Sequence, residues 1–120
     1  MTLLAHISEE HDDLVALAGI HGEIDASNAG EIGARLRTLL TNRSVALIVD
    51  LTATTYLDSA GINLLFALDA ELRDRQQQLH LVVARSSPIA RMVTISGLAA
   101  AVPTHATREG ARAALASSAP

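Results

Sequence analysis

The sequence has no cysteine and no tryptophan, and its only Phe and Tyr residues are Phe66 and Tyr56. Without thiols it can form no disulfide scaffold, thiolate metal site or Cys nucleophile. A reducing compartment is compatible with that. Basic clusters are also missing. Arg35, Arg37 and Arg43 are spread out, with Glu31 nearby, in a chain of net charge −4. Too few aromatics and no basic stripe argue against direct nucleic-acid binding. Long apolar runs are absent too. The run at 45–49 falls far short of the roughly 20 residues a membrane span needs. The apolar start at 1–7 is short, and four acidic residues follow within 8–13, which does not fit a secretory signal. These absences predict a soluble, cytoplasmic protein with no membrane insertion.

What is present is aliphatic. Hydrophobic residues make up 49% of the 120 positions, mostly Leu, Ile, Val and Ala. That content suits a folded domain, and the length suits one core. Small aliphatic side chains favour helices packed closely on a parallel sheet. The expected organisation is one domain over 1–116 with a frayed tail at 117–120.

Leu3, Ala5 and Ile7 alternate with Leu4, His6 and Ser8, as in a strand. Residues 9–13 read as a charged turn, and 14–21 as a second strand that forms a hairpin with the first. Asn28 and Glu31 have capping-box spacing before a helix over about 29–41, marked by Ile32, Leu36, Leu39 and Leu40. The run at 45–51, apolar except for Asp50, reads as a central strand. A Thr-rich loop over 52–58 then leads into a helix from Ser59 to about Arg75, with Leu65, Leu68 and Leu72 inside. Residues 79–84 read as a strand. Ser87-Pro88 opens a short helix ended by Gly97, and 98–102 reads as a last strand broken by Pro103. Thr107 caps a final helix to about Leu115. The order β-β-α-β-α-β-α-β-α predicts an α/β fold. Its sheet is mixed but mostly parallel, with an N-terminal hairpin and about four helices.

The chemically informative segment runs from Asp50 to Leu65. A buried strand ends, a loop follows, and the hydroxyl of Ser59 stands where a helix begins. Helix N-termini offer free N–H groups and partial positive charge, worth roughly 0.3–1 kcal/mol to an exposed anion. A phosphate on Ser59 would add about −1.5 to −2 charge, opposed by Asp58 next door. Ile62, Asn63 and Phe66 lie three, four and seven positions on, which places them on the same side of the helix. If exposed, Ile62 and Phe66 would form an apolar contact beside a switchable charge. The plainer alternative makes Ser59 simply the N-cap and Gly61 structural.

Three segments carry a family resemblance. They are Asp50-Leu51 with Asp58-Ser59-Ala60-Gly61-Ile62-Asn63, then Gly22-Glu23-Ile24-Asp25, and Ser96-Gly97-Leu98. Together, in this order and spacing, they resemble the signature of the STAS domain family, which includes bacterial anti-sigma factor antagonists. The resemblance covers nearly the whole chain. It implies a single STAS-like domain that is not an enzyme and needs no cofactor, with Ser59 as phosphoacceptor. It implies an anti-sigma factor serine kinase as partner, bound by the unphosphorylated form so that a sigma factor is released, and a serine phosphatase that resets the switch. Asp25 and Asp58 map onto acidic positions bordering the phosphorylation site. Ala60 replaces the usual second hydroxyl, which leaves Ser59 the only acceptor at the motif. Asn63 replaces a common Gly on the docking face. The alternative role in this family is a subunit of a larger assembly, such as a lipid-transport complex, without a phospho-switch.

Other chemistry finds less support. His6, His11, His21, His80 and His105 show no metal-ligand spacing, although His6 and His21 would face each other across the hairpin. Ser59 follows Asp58 and sits in no Gly-x-Ser-x-Gly elbow, so serine hydrolysis is not indicated. The glycines fit neither phosphate-cradling template. The run Asp69, Glu71, Arg73, Asp74 and Arg75 reads as a solvated helix face.

Overall fold

The computed structural model describes residues 5–12 and 14–117. The expected strand positions at Leu3 and Leu4, Asp13 of the expected turn, and 118–120 of the expected tail lie outside those residues. The elements run β1 (Ala5–His11), β2 (Val15–Ile24), α1 (Ala29–Thr38), β3 (Ala46–Asp50), β4 (Thr54–Leu57), α2 (Ser59–Asp74), β5 (Gln78–Val82), α3 (Ala90–Ile95), α4 (Leu98–Ala101), β6 (Thr104–His105) and α5 (Arg108–Ser117).

The sheet order is β1-β2-β3-β5-β6, with β4 paired to β2. Only β1 and β2 are antiparallel; the other pairings are parallel. This is the expected mixed, mostly parallel sheet. β2 pairs with β3 over Val15–Gly19 and with β4 over Gly22–Ile24. The register shifts after Gly22, whose φ of 115° is a conformation that favours glycine.

Several expectations need correction. The Thr-rich loop over 52–58 contains β4. Its Thr54 is buried and donates its hydroxyl to the Ile20 carbonyl at 2.8 Å, while Tyr56 points outward. Four residues without a clean alternation, Thr-Thr-Tyr-Leu, were too short a pattern to register as a strand. The charged segment at 9–13 is not all turn, since β1 continues through His11. Glu9 and Glu10 tolerate strand geometry because β1 is an edge strand, and Arg35 binds Glu9 at 2.6 Å. Asp12 makes the turn, its carboxylate accepting from Leu14 and Val15 N–H.

The third correction is at the C-terminal end. Residues 98–101 form α4, not a strand, and the last strand is β6, beyond Pro103. Gly97, at φ 84°, reverses the chain, and a Leu-Ala-Ala-Ala run then favours helix. With α4 the described residues hold five helices, close to the expected number. Thr107 does cap α5, accepting from Gly110 N–H at 3.0 Å. The capping box at α1 does not form. Asn28 occupies the cap position, but its amide instead accepts from Asp25 N–H and donates to the Glu23 carbonyl.

The main core lies between the sheet and α1 to α4. Ile20, Leu36, Leu47, Leu65, Leu68, Leu72 and Leu81 are fully buried there. Each such side chain contributes about 1.5–3 kcal/mol by leaving water. A second, smaller cluster of Leu17, Ile48, Val82 and Ala111 lies beneath α5 on the other face. Asp50 ends β3 at 7% exposure. It accepts from Arg108 Nε at 2.5 Å and Thr52 N–H at 2.9 Å. Burial pushes the Asp50 carboxyl up, but Thr52 and Arg108 outweigh it and hold the group below the usual carboxylate range.

Two outcomes follow. Arg108→Ala leaves Asp50 charged and largely buried without its partner. Because Arg108 is partly exposed, the expected loss is about 1–3 kcal/mol, below that of a fully buried pair. Urea unfolding at neutral pH measures it. A depressed folded-state carboxyl stabilises above its unfolded value and loses that contribution as pH falls through the folded value. The difference between parent and Arg108→Ala should therefore shrink in acid. The second outcome concerns Gly61, in the first turn of α2. A methyl there would press on the buried side chains of Leu57 and Ile24. Overpacking costs about 1–3 kcal/mol, against at most about 1 kcal/mol gained from helix propensity. Gly61→Ala should lower the melting temperature.

Candidate functional site

The parallel strands β2 and β4 finish side by side, with Ile24 opposite Leu57. Asp58 N–H donates to the Ile24 carbonyl at 3.3 Å. The two segments of the motif, at Asp25 and at Asp58-Ser59, therefore leave the sheet at one end as neighbours.

Asp58 is extended and is the N-cap of α2. Its carboxylate accepts from Ala60 N–H at 2.9 Å and Gly61 N–H at 3.3 Å. Ser59 is therefore the first helical residue and not the cap. It is exposed, and its hydroxyl makes no hydrogen bond among the described residues. The plainer alternative, a serine held as N-cap, does not apply. Asp58 already uses two of the free N–H groups at this helix end. A phosphate on Ser59 would meet a carboxylate where the sequence alone suggested an open helix terminus.

Asp25 stands on the neighbouring segment. Its Oδ1 accepts from the Ser27 hydroxyl at 2.5 Å and from Ser27 N–H at 2.8 Å. The Ser27 hydroxyl bond is the main cause holding the Asp25 carboxyl below the usual range. Asp25 is thus ionised at neutral pH, and it forms no ion pair among the described residues.

The structure divides the expected apolar contact. Ile62 is only 5% exposed and belongs to the core stripe with Leu65, Leu68 and Leu72, so it offers no outer surface. Its spacing placed it on the side of Ser59, but the close approach of Gly61 to Ile24 and Leu57 turns that margin of the helix inward. Asn63 is exposed, and Phe66 is half-buried against the core edge. Tyr56, three positions before Ser59, is 47% exposed and was missed by sequence reasoning. Its signal was the β-branched and aromatic Thr-Thr-Tyr-Leu segment that forms β4.

The other candidates also have places. His6 and His21 pair across the hairpin, with ring centroids 5.8 Å apart. His80 and His105, far apart in sequence, are hydrogen-bonded to each other. No cluster of three or more potential metal ligands exists among the described residues. The charge run on α2 is a helix face bearing the pairs Arg73–Asp69 and Arg37–Glu71. Among the described residues no helix is long and apolar enough to cross a membrane.

Comparison with known proteins agrees with this geometry. The anti-sigma-B factor antagonist of Listeria monocytogenes is 30% identical over 98 residues, covering 82% of this chain and 84% of that protein. The anti-sigma-F factor antagonist RsfB of Mycobacterium tuberculosis is 32% identical over 84 residues, covering 70% and 67%. The crystal structure of an anti-sigma factor antagonist from Mycobacterium paratuberculosis superposes with a TM-score of 0.80 at 25% identity, over 92% of each chain. The family profile described as STAS domain matches residues 6–111. With nearly the whole described fold inside that match, the chain belongs to the STAS domain family.

Proposed function

We propose that this protein is an anti-sigma factor antagonist whose binding to an anti-sigma factor serine kinase is controlled by phosphorylation of Ser59. The observation that carries the reading is the unbonded, exposed Ser59 hydroxyl at the start of α2, with Asp58 capping the helix beside it. A kinase reaching this end of the sheet meets a hydroxyl that need break no internal hydrogen bond. Ala60 offers no competing acceptor. The names of the similar proteins support the same role, and cytoplasmic location follows from it.

Geometry also supplies a way for the modification to act. Asp25 is ionised and Asp58 lies adjacent, so the added phosphate would concentrate negative charge at one end of α2. The helix dipole returns little, because Asp58 already occupies the Ala60 and Gly61 N–H groups. The fold is therefore preserved, while a partner docking over Asn63, Phe66 and the Asp25 loop meets repulsion and desolvation cost. In the unphosphorylated state the antagonist holds the kinase and a sigma factor goes free. A serine phosphatase restores that state.

The test uses the purified chain with an anti-sigma factor kinase from its own cell and ATP. Mass spectrometry should place a single phosphate on Ser59. Ser59→Ala should accept none and stay bound to the kinase, while Ser59→Asp should bind at least tenfold more weakly in a titration. Phosphate at another residue, or equal binding by all three proteins, would overturn the reading. Asp58→Ala separates the cap from the acceptor. Its loss should cost about 1 kcal/mol of stability, measured by denaturant unfolding, while Ser59 remains the residue that is modified.

A further inference from the structure

Away from Ser59, the second face of the sheet carries a pair of histidines, one buried and one partly exposed. His80 lies on β5 at 4% exposure, beside Ile48 of β3. His105 lies on the two-residue strand β6, opposite Val82. His80 Nδ1 and His105 Nε2 are 2.9 Å apart, and the rings are nearly coplanar at 2°. The other nitrogen of His80, Nε2, is 3.0 Å from Gln78 Oε1.

These contacts fix the protons. An amide oxygen only accepts, so His80 Nε2 donates to Gln78. Neutral His80 then has a lone pair on Nδ1, and His105 Nε2 must donate to it. His105 Nδ1 makes no hydrogen bond among the described residues, so a proton there would leave the bond between the rings intact. A second proton has only His80 Nδ1 left to take. It would place N–H against N–H and two positive charges in contact.

We propose that this pair is a proton-sensitive latch that holds β6 and α5 on the sheet, and that uptake of the second proton releases them. Besides the ion pairs of Arg108 and Arg112, the contacts that hold this end are short. β6 pairs through only two residues. α5 rests on Leu17, Ile48 and Val82 through Ala111, with Val15 and Leu115 at the margin. It passes so close to β6 that a side chain at Gly110 would lie 3.7 Å from His105 Cβ.

The charged groups around the latch are accounted for. From β3, Asp50 is tied to Arg108. From α5, Arg108 also meets Glu10, and Arg112 meets Glu10 and Asp12. Glu109, also on α5, makes no ion pair among the described residues. α2 packs on β5 from the opposite face, where Leu79 and Leu81 point. None of these carboxylates is recorded bonding to either ring. Burial, followed by the charge of His105, moves His80 below the usual imidazole value. A lowered imidazole stabilises above its unfolded value and loses that contribution as pH falls through the folded value. Release therefore belongs to the acid side of the ordinary histidine range.

Amide hydrogen exchange from about pH 8 to about pH 5, corrected for intrinsic rates, tests the latch. Protection in β6 and α5 should fall at up to about tenfold per pH unit once the second proton binds, while β1 to β4 stay protected. In His80→Gln that step should vanish. His105→Asn, altered at the more exposed member, should behave likewise if His80→Gln folds poorly. Nitrogen NMR at neutral pH should show His80 protonated at Nε2 and bare at Nδ1. Flat protection in the parent would overturn the latch. So would a step that persists in both variants, simultaneous loss across the sheet, or the opposite His80 tautomer.

Discussion

Strand β2 is hydrogen-bonded to three other strands, and the arrangement of the candidate site follows from that. One edge takes β1, and the other takes first β3 and then, past a register shift at Gly22, β4. Because β4 lies parallel to the last turn of β2, the chain after Ile24 and the chain after Leu57 exit together. Without β4, Asp58 would have no carbonyl at Ile24 to fix its backbone, and the first turn of α2 would have no wall to lean on. The position of Ser59 is thus set by sheet pairing, and its exposure by the choice of Asp58 as cap.

Much of this was legible in the sequence, for identifiable reasons. Runs at 45–51 and 79–84, aliphatic but for Asp50 and His80, announced central strands, because buried parallel strands need no polar face. Leucines at helical spacing announced α2 almost to its ends. The class of fold and the junction at Ser59 were visible for the same reason, since both depend on long periodic segments. What stayed hidden was short or tertiary. β4 has four residues and β6 has two, too few for a period to show. Glu9 and Glu10 looked like turn residues because nothing local reveals that Arg35 and Arg108 wait beside an edge strand.

The site shows the same division. That a hydroxyl begins a helix could be read locally. Which residue caps the helix could not, since Asp58 and Ser59 are both good caps and the backbone at Asp58 decides between them. Ile62 was read onto the side of Ser59 because residues three apart along a helix share a face, but they also reach its margin, and the packing of Gly61 turns that margin inward. His80 and His105 were beyond reach of spacing arguments, because their hydrogen bond depends on the parallel placement of β6 beside β5.

The two sheet margins have a consequence for recognition. One margin is β1, which carries Glu9 and Glu10 and their arginine partners. The other is β6, two residues long and preceded by Pro103. β6 is too short to offer a visiting chain a long row of free backbone groups, and at β1 the exposed charges flank the open edge, which disfavours strand addition there. Under the proposed function, a partner reads side chains over the helices, where one altered residue can undo much of the grip. Such contacts can be made and broken without opening the sheet.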